Sequence, residues 1–274
     1  MTSPSPFEVF RALHARSRAF IMPNAWDGAS AALLKRAGFE ALGSSSLAIA
    51  FALGRRDGTH EVSREDALAN AVLLARVSGL PVNGDLEDGF GPEPKDCVAT
   101  VEAAIQAGLA GLGIEDSTAQ PADPIHEFDL AVRRVEQAAR AARGRILLTA
   151  RADNYLHGRG DLDDTLRRLA AFAEAGADVL YAPGLPDLNA IRAAVRAVAP
   201  KPLNILIGPR KGVVPLDTLS ELGVRRVSLG GALYRRSMKT LAETADALKA
   251  GDLLAGTGGI SIDELSALMP RSSV

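Results

Sequence analysis

Three carboxylates crowd one short segment, PVNGDLEDGFG (Pro81 to Gly91): Asp85, Glu87 and Asp88 follow an apolar run and precede Gly89 and Gly91. Like charges a few ångströms apart resist ionisation unless a cation or a proton lies between them. Asp85 and Glu87 are two residues apart, so on an extended chain they project to the same side, while Asp88 points elsewhere or lies in the turn. Glu115 ends another apolar run and adds a third carboxylate, and Asp57, in the loop GRRDG, is placed to reach in. Hard oxygen donors with no paired His or Cys favour Mg²⁺, with Mn²⁺ as its substitute. Ca²⁺ fits less well, because no dense multidentate loop is present. Arg151 ends a further apolar run and would supply a fixed cation for a substrate oxygen or carboxylate.

The elements that must position these groups alternate along the chain. Short apolar runs predict strands at Phe20–Pro23, Ala41–Ser44, Val82–Asp85, Leu112–Glu115, Ile146–Ala150, Val179–Ala182, Leu203–Ile207 and Arg226–Leu229. Amphipathic stretches between them predict helices, several ending at a glycine suited to a left-handed cap, as in RAGFEALGSSS and EAGADVLYAPG. Eight such units predict a closed (β/α)8 TIM barrel rather than a doubly wound sheet. No G-x-G-x-x-G follows the first strand, which argues against a dinucleotide fold. The second strand leads into an irregular connection, LAIAFALGRRDGTHEV, before its main helix. In such a barrel, chemistry sits at the C-terminal strand ends. Asp85, Glu87, Glu115 and Arg151 fall there, as do SSS (Ser44 to Ser46) and Asp153, while Asn204 lies in the seventh strand.

The whole chain sets outer bounds. Its 274 residues are read as one domain, with the barrel over about 18–250 and a C-terminal helix and tail over 251–274. A net charge of −2 and no basic cluster argue against nucleic acid. No apolar run is long enough to span a membrane, no signal peptide is recognised, and one cysteine excludes an internal disulfide. A cytoplasmic protein is the expectation. Cys97 reads as a small buried hydrophobe on a helix. His14, His60, His126 and His157 show no ligand spacing and read as structural or solvated, with His60 the best placed because it follows Asp57. The serines of SSS serve equally as a plain helix N-cap.

Together the ordered motifs MPNAWDGASAALLKRAGFEALGSSSLA, GRRDG, PVNGDLEDGFG, GIEDS, TARADNYL, YAPGL and ELGVRRVSLGGALYRR resemble the isocitrate lyase / phosphoenolpyruvate mutase superfamily over most of the length. The resemblance implies that Ser45, Ser46 and Leu47 receive the substrate carboxylate and that Asp57 contacts metal-bound water. It implies Asp85 as direct metal ligand, with Glu87 and Glu115 as outer partners, and Glu87 stands where family members often carry the shorter Asp. Arg151 would steady the substrate oxyanion, so that Arg151, Asp57 and Glu115 form the expected catalytic set; Asn204 is a further substrate contact. The implied activity is Mg²⁺-dependent lyase or decarboxylase chemistry on a small 2-oxo or 2-hydroxy (di)carboxylate, through an enolate. The alternatives are a carbon–phosphorus enzyme of the same family and a barrel that binds carboxylates without turnover. A homotetramer that exchanges C-terminal helices, around Leu233–Ala250, is the implied assembly. The chain departs from the isocitrate and methylisocitrate lyases in lacking their K-[KR]-C-G-H loop. The corresponding segment is GIEDSTAQPADPIHEF, and Gly184 stands where those lyases carry a glutamate. The gating-loop lysine and asparagine of phosphoenolpyruvate mutase are also unmatched.

Overall fold

Every apolar run becomes a parallel strand. The computed structural model describes residues 4–207 and 214–270; the last four residues of the expected tail lie outside them. In chain order the elements are α1 (Pro6–His14), β1 (Phe20–Met22), α2 (Gly28–Arg36), β2 (Leu42–Gly43), α3 (Ser46–Ala52), α4 (Arg64–Ser78), β3 (Val82–Asp85), α5 (Pro94–Gln106) and β4 (Gly111–Glu115). They continue as α6 (Phe128–Ala142), β5 (Leu147–Arg151), α7 (Leu162–Glu174), β6 (Val179–Tyr181), α8 (Leu188–Val198), β7 (Leu203–Leu206), α9 (Leu216–Glu221), β8 (Arg226–Ser228), α10 (Ala232–Lys249) and α11 (Ile262–Leu268). The sheet runs β1-β8-β7-β6-β5-β4-β3-β2. A parallel bridge between Asn24 and Gly43 joins its two edges, so the eight strands form a single-domain (β/α)8 barrel.

Strand alternation explains how the barrel presents its polar groups. In β4, Leu112 and Ile114 are buried against the helical layer, whereas Gly111, Gly113 and Glu115 occupy the alternate positions. In β5, Leu148 and Ala150 face that layer, and Thr149 and Arg151 take the other face. The register then sets Glu115 beside Arg151 at the C-terminal end of both strands.

Two helices exceed the sequence expectation. In α1, Phe10, Leu13 and His14 are buried with Phe20, Met22, Ala41, Ala110 and Leu147, forming a second cluster at the N-terminal end of the barrel. The other is α3, which occupies the start of the connection read as irregular. Its sequence SLAIAFA is too uniformly apolar to show a helical period. Ser45 is its N-cap, accepting from the Ala48 N–H. α5 begins at Pro94. Pro fits the first helical turn, and the Asp96 carboxylate accepts from the Glu93 N–H at 2.9 Å.

The C-terminal segment holds two helices. α11 packs on α2 of its own chain, where Arg36 pairs with Glu264. α10 buries only Tyr234 and leaves Met238, Leu241 and Leu248 exposed. No described helix is long and apolar enough to cross a membrane.

Close packing at the barrel floor makes a sharp prediction. A Cβ at Gly111 would come within 2.7 Å of Phe10 Cε1, 2.9 Å of Asn83 Oδ1 and 3.2 Å of the Leu147 carbonyl oxygen. Gly111→Ala should lower unfolding free energy by about 1–3 kcal/mol in urea titrations; an unchanged midpoint would contradict this packing.

Candidate active site

Arg151 organises the mouth of the barrel. Its Nη1 lies 2.5 Å from Glu115 Oε1 and 3.1 Å from Asp85 Oδ1, and its Nη2 lies 3.2 Å from Asp153 Oδ2. Its flat face stacks 5.1 Å from the centre of the Tyr181 ring. Asp153 is held in turn, since its N–H donates to Asp116 Oδ1 at 2.8 Å and Asp116 Oδ2 pairs with Arg168 at 3.1 Å. A guanidinium fixed on both sides presents its charge in one geometry.

Asp85 sits at the start of α3. Its Oδ2 accepts the Ser46 N–H at 2.8 Å, and its own N–H donates to Ser44 Oγ at 2.8 Å. The next amide in α3, the Leu47 N–H, has no hydrogen-bond acceptor among the described residues. It is one of the donors that every helix N-terminus leaves unused. Ser45 Oγ is committed to capping.

Glu87 does not extend the strand. Its φ of 48° turns the chain at once after β3, while Leu86 is fully buried. Asp85 and Glu87 therefore reach the mouth through a kink, not through simple alternation along an extended chain. Glu87 lies near His60, whose Nε2 is 3.1 Å from Asp88 Oδ1 and 3.8 Å from Glu87 Oε2. Asp88 faces inward under this turn and accepts the Phe90 N–H.

All nine residues singled out in the sequence line two adjoining cavities. The larger, about 290 Å³, is bordered by Ser45, Ser46, Leu47, Asp57, Asp85, Arg151 and Asn204. The smaller, about 170 Å³, is bordered by Glu87 and Glu115 and shares Ser46, Asp57 and Arg151 with the first. Asn204 is already engaged: its Oδ1 accepts from Arg226 Nε and its Nδ2 donates to Ser228 Oγ, both at 3.0 Å. Sequence reasoning passed over Tyr181 and Arg226 and read His157 as structural or solvated, yet all three also line these cavities. A charged residue opening an apolar run was the available signal for Arg226. Cys97 is buried on α5, and burial pushes its thiol up to about 11.

Among the described residues of the mouth, carboxylates outnumber guanidiniums. Burial, then repulsion from Glu115, pushes Glu87 up to about 8. Burial also raises Glu115, because the attraction of Arg151 is shared with Asp85 and Asp153. Asp57 is raised by burial and by Asp85. His60 is raised by its hydrogen bond to Asp88. Among the described residues no three His, Cys, Asp or Glu side chains close into a ready-made metal cage. The donor set suits a cation that takes few protein oxygens and keeps water, as Mg²⁺ does.

Residues 10–249 match the family model described as phosphoenolpyruvate phosphomutase. The chain is 30% identical over 243 residues to 2-methylisocitrate lyase of Escherichia coli, covering 85% of this chain and 79% of that one. The crystal structure of a candidate lyase/mutase from Burkholderia cenocepacia is similar at 43% identity and a TM-score of 0.89, covering 95% of this chain and 94% of that one. Oxaloacetate acetylhydrolase in complex with the product oxalate is similar at 26% identity and a TM-score of 0.86, covering 96% of this chain and 93% of that one. The chain belongs to the isocitrate lyase / phosphoenolpyruvate mutase superfamily, an enzyme superfamily of lyases and mutases.

The charge excess has a measurable consequence. A carboxyl held near 8 keeps a proton in the folded state that the unfolded chain, titrating near 4.5, has already released. The metal-free fold therefore loses stability as pH rises through that interval. Glu87→Gln should stabilise metal-free protein by roughly 1–3 kcal/mol at about pH 8 and by much less at about pH 5, read by denaturant titration. An equal change at both pH values would contradict the assigned charge state.

Proposed function

We propose that this protein is a Mg²⁺-dependent carbon–carbon lyase or decarboxylase that breaks a bond beside the 2-oxo or 2-hydroxy group of a small carboxylate, through an enolate. The observation that carries the reading is Arg151 bridging Asp85 and Glu115 beside the unused Leu47 N–H. Such a mouth has a cation for developing oxyanion charge, a backbone donor for a carboxylate, and surplus carboxylates for a divalent ion.

In this reading Asp85 would hold the ion directly, and Glu87, Glu115 and Asp57 would be its outer partners. Bound there, Mg²⁺ would act as a Lewis acid toward the substrate's 2-oxygen. Arg151 places its fixed charge where negative charge grows on the substrate as the bond breaks, and it needs no reorganisation because Asp153 and Tyr181 already hold it. The Leu47 N–H receives one carboxylate oxygen, with Ser45 and Ser46 shaping the turn that aims it. Tyr181, Leu156 and Pro183 wall the larger cavity and limit water around the enolate. The relatives named 2-methylisocitrate lyase and oxaloacetate acetylhydrolase support carbon–carbon cleavage. Assembly as a homotetramer belongs to the same reading, with the exposed apolar residues of α10 as the surface it would cover.

The test is a panel of 2-oxo and 2-hydroxy acids with Mg²⁺, read as release of pyruvate or glyoxylate. Asp85→Ala should reduce turnover by at least about 100-fold, and Arg151→Lys by about 100- to 1,000-fold, with circular dichroism unchanged. Full activity in either variant contradicts the assignment. Turnover of phosphonopyruvate alone, seen as a rearranged ³¹P signal, would assign carbon–phosphorus chemistry instead.

A further inference from the structure

Arg226 is a buried cation without a counter-charge. It is 1% exposed and lies in β8, with its side chain inside the barrel. Its Nε donates to Asn204 Oδ1 at 3.0 Å, its Nη2 donates to Thr149 Oγ1 at 3.0 Å, and its Nη1 faces His14 Nε2 at 3.4 Å. All three partners are neutral. His14 Nδ1 lies 2.8 Å from the Phe10 carbonyl oxygen, so Nδ1 carries the proton and Nε2 is a bare acceptor. Burial, then the charge of Arg226, holds that imidazole down to about 3.

The other buried arginines are paired. Arg151 meets Asp85, Glu115 and Asp153; Arg168 meets Asp116 and Asp164; Arg134 lies 4.0 Å from Asp88. No carboxylate among the described residues lies within ion-pair distance of Arg226. A guanidinium has five N–H donors, and three are engaged here. A charge removed from water without a partner is unfavourable unless a ligand supplies one.

The cavity that Arg226 borders is the larger cavity of the mouth, which Arg151 and Asp85 also line. Thr149 and Arg151 are two residues apart on β5, so the Arg226 contact lies one interior layer, about 7 Å, below the Arg151 position. Gly113 on the neighbouring strand leaves that depth open. A Cβ there would find its nearest atoms at 3.9 Å, Arg151 Cδ and the Gly84 carbonyl oxygen. Both guanidiniums border this one cavity, so a ligand with two carboxylates can meet both.

We propose that Arg226 is the receptor for the second carboxylate of a dicarboxylate ligand whose first carboxylate is held at the mouth by the Leu47 N–H, beside Arg151. The inference rests on the functional reading above and narrows its substrate class to diacids long enough to span the two layers. Asn204, fixed by Arg226 through Oδ1, positions the guanidinium.

Calorimetric titration with Mg²⁺ present separates the possibilities, using oxalate, malate and 2-hydroxybutanoate as probes. Oxalate is too short to leave the mouth, and 2-hydroxybutanoate has malate's length without its second charge. Wild-type protein should bind malate at least about tenfold more tightly than 2-hydroxybutanoate. Arg226→Met should bring these two within about twofold while leaving oxalate within about twofold of wild type, and Arg226→Lys should keep part of the preference. Equal affinity of wild-type protein for malate and 2-hydroxybutanoate overturns the inference, and this arm decides even where a variant fails to fold. A folded Arg226→Met that weakens all three ligands equally also overturns it, because that is the signature of a structural role. Absence of oxalate binding to wild-type protein would overturn the underlying functional reading as well, whereas oxalate binding without a malate preference overturns this inference alone.

Discussion

Arg151 faces Asp85, Glu115 and Asp153 at once, and among the described residues no second guanidinium reaches the remaining carboxylates Asp57 and Glu87. That shortage of positive charge is the constraint on which the rest of the site depends. It explains why burial and repulsion raise Glu87, Glu115 and Asp57 together. It also explains the supporting layer: Asp116 and Arg168 fix Asp153, and Tyr181 supports the flat face of Arg151. A charge that must serve several acids is useful only if it cannot drift among them. The barrel meets that need by anchoring Arg151 to a strand end in register with Glu115.

The barrel interior is graded along its axis. At the mouth, acids exceed cations. One layer down, Arg226 is a cation among neutral groups. At the floor, Phe10, Leu13 and Phe20 close the interior with apolar surface. Glycines at Gly111 and Gly113 make this gradient possible, because a side chain at either position would take space from Phe10 and Asn83 or from the cavity beside Arg151. The same two-residue alternation that buries Leu112 and Ile114 under the helices places Gly111 and Gly113 on the inner face of β4, below Glu115.

Much of this was legible in the chain. Buried parallel strands are uniformly apolar and end in polar residues, so the eight strands and the carboxylates at their tips stand out, and Asp85, Glu115 and Arg151 come together as their positions imply. Other features were not legible, for distinct physical reasons. α3 carries no period because nearly all its residues are apolar. The turn at Glu87 depends on a left-handed backbone at a non-glycine residue, which no local signal marks. The isolation of Arg226 is a property of what surrounds it in three dimensions. Its neighbours His14, Thr149 and Asn204 come from α1, β5 and β7, far apart in sequence.

The central claim is that a divalent cation resides at the barrel mouth beside Asp85. A crystal soaked with Mn²⁺ and oxalate, with data collected for anomalous scattering, addresses it directly. The account predicts one anomalous peak per chain within about 2.3 Å of an Asp85 carboxylate oxygen, with oxalate between the metal and Arg151. Oxalate bound without a peak there, or a peak elsewhere with Asp85 still joined only to Ser46 and Arg151, would contradict it.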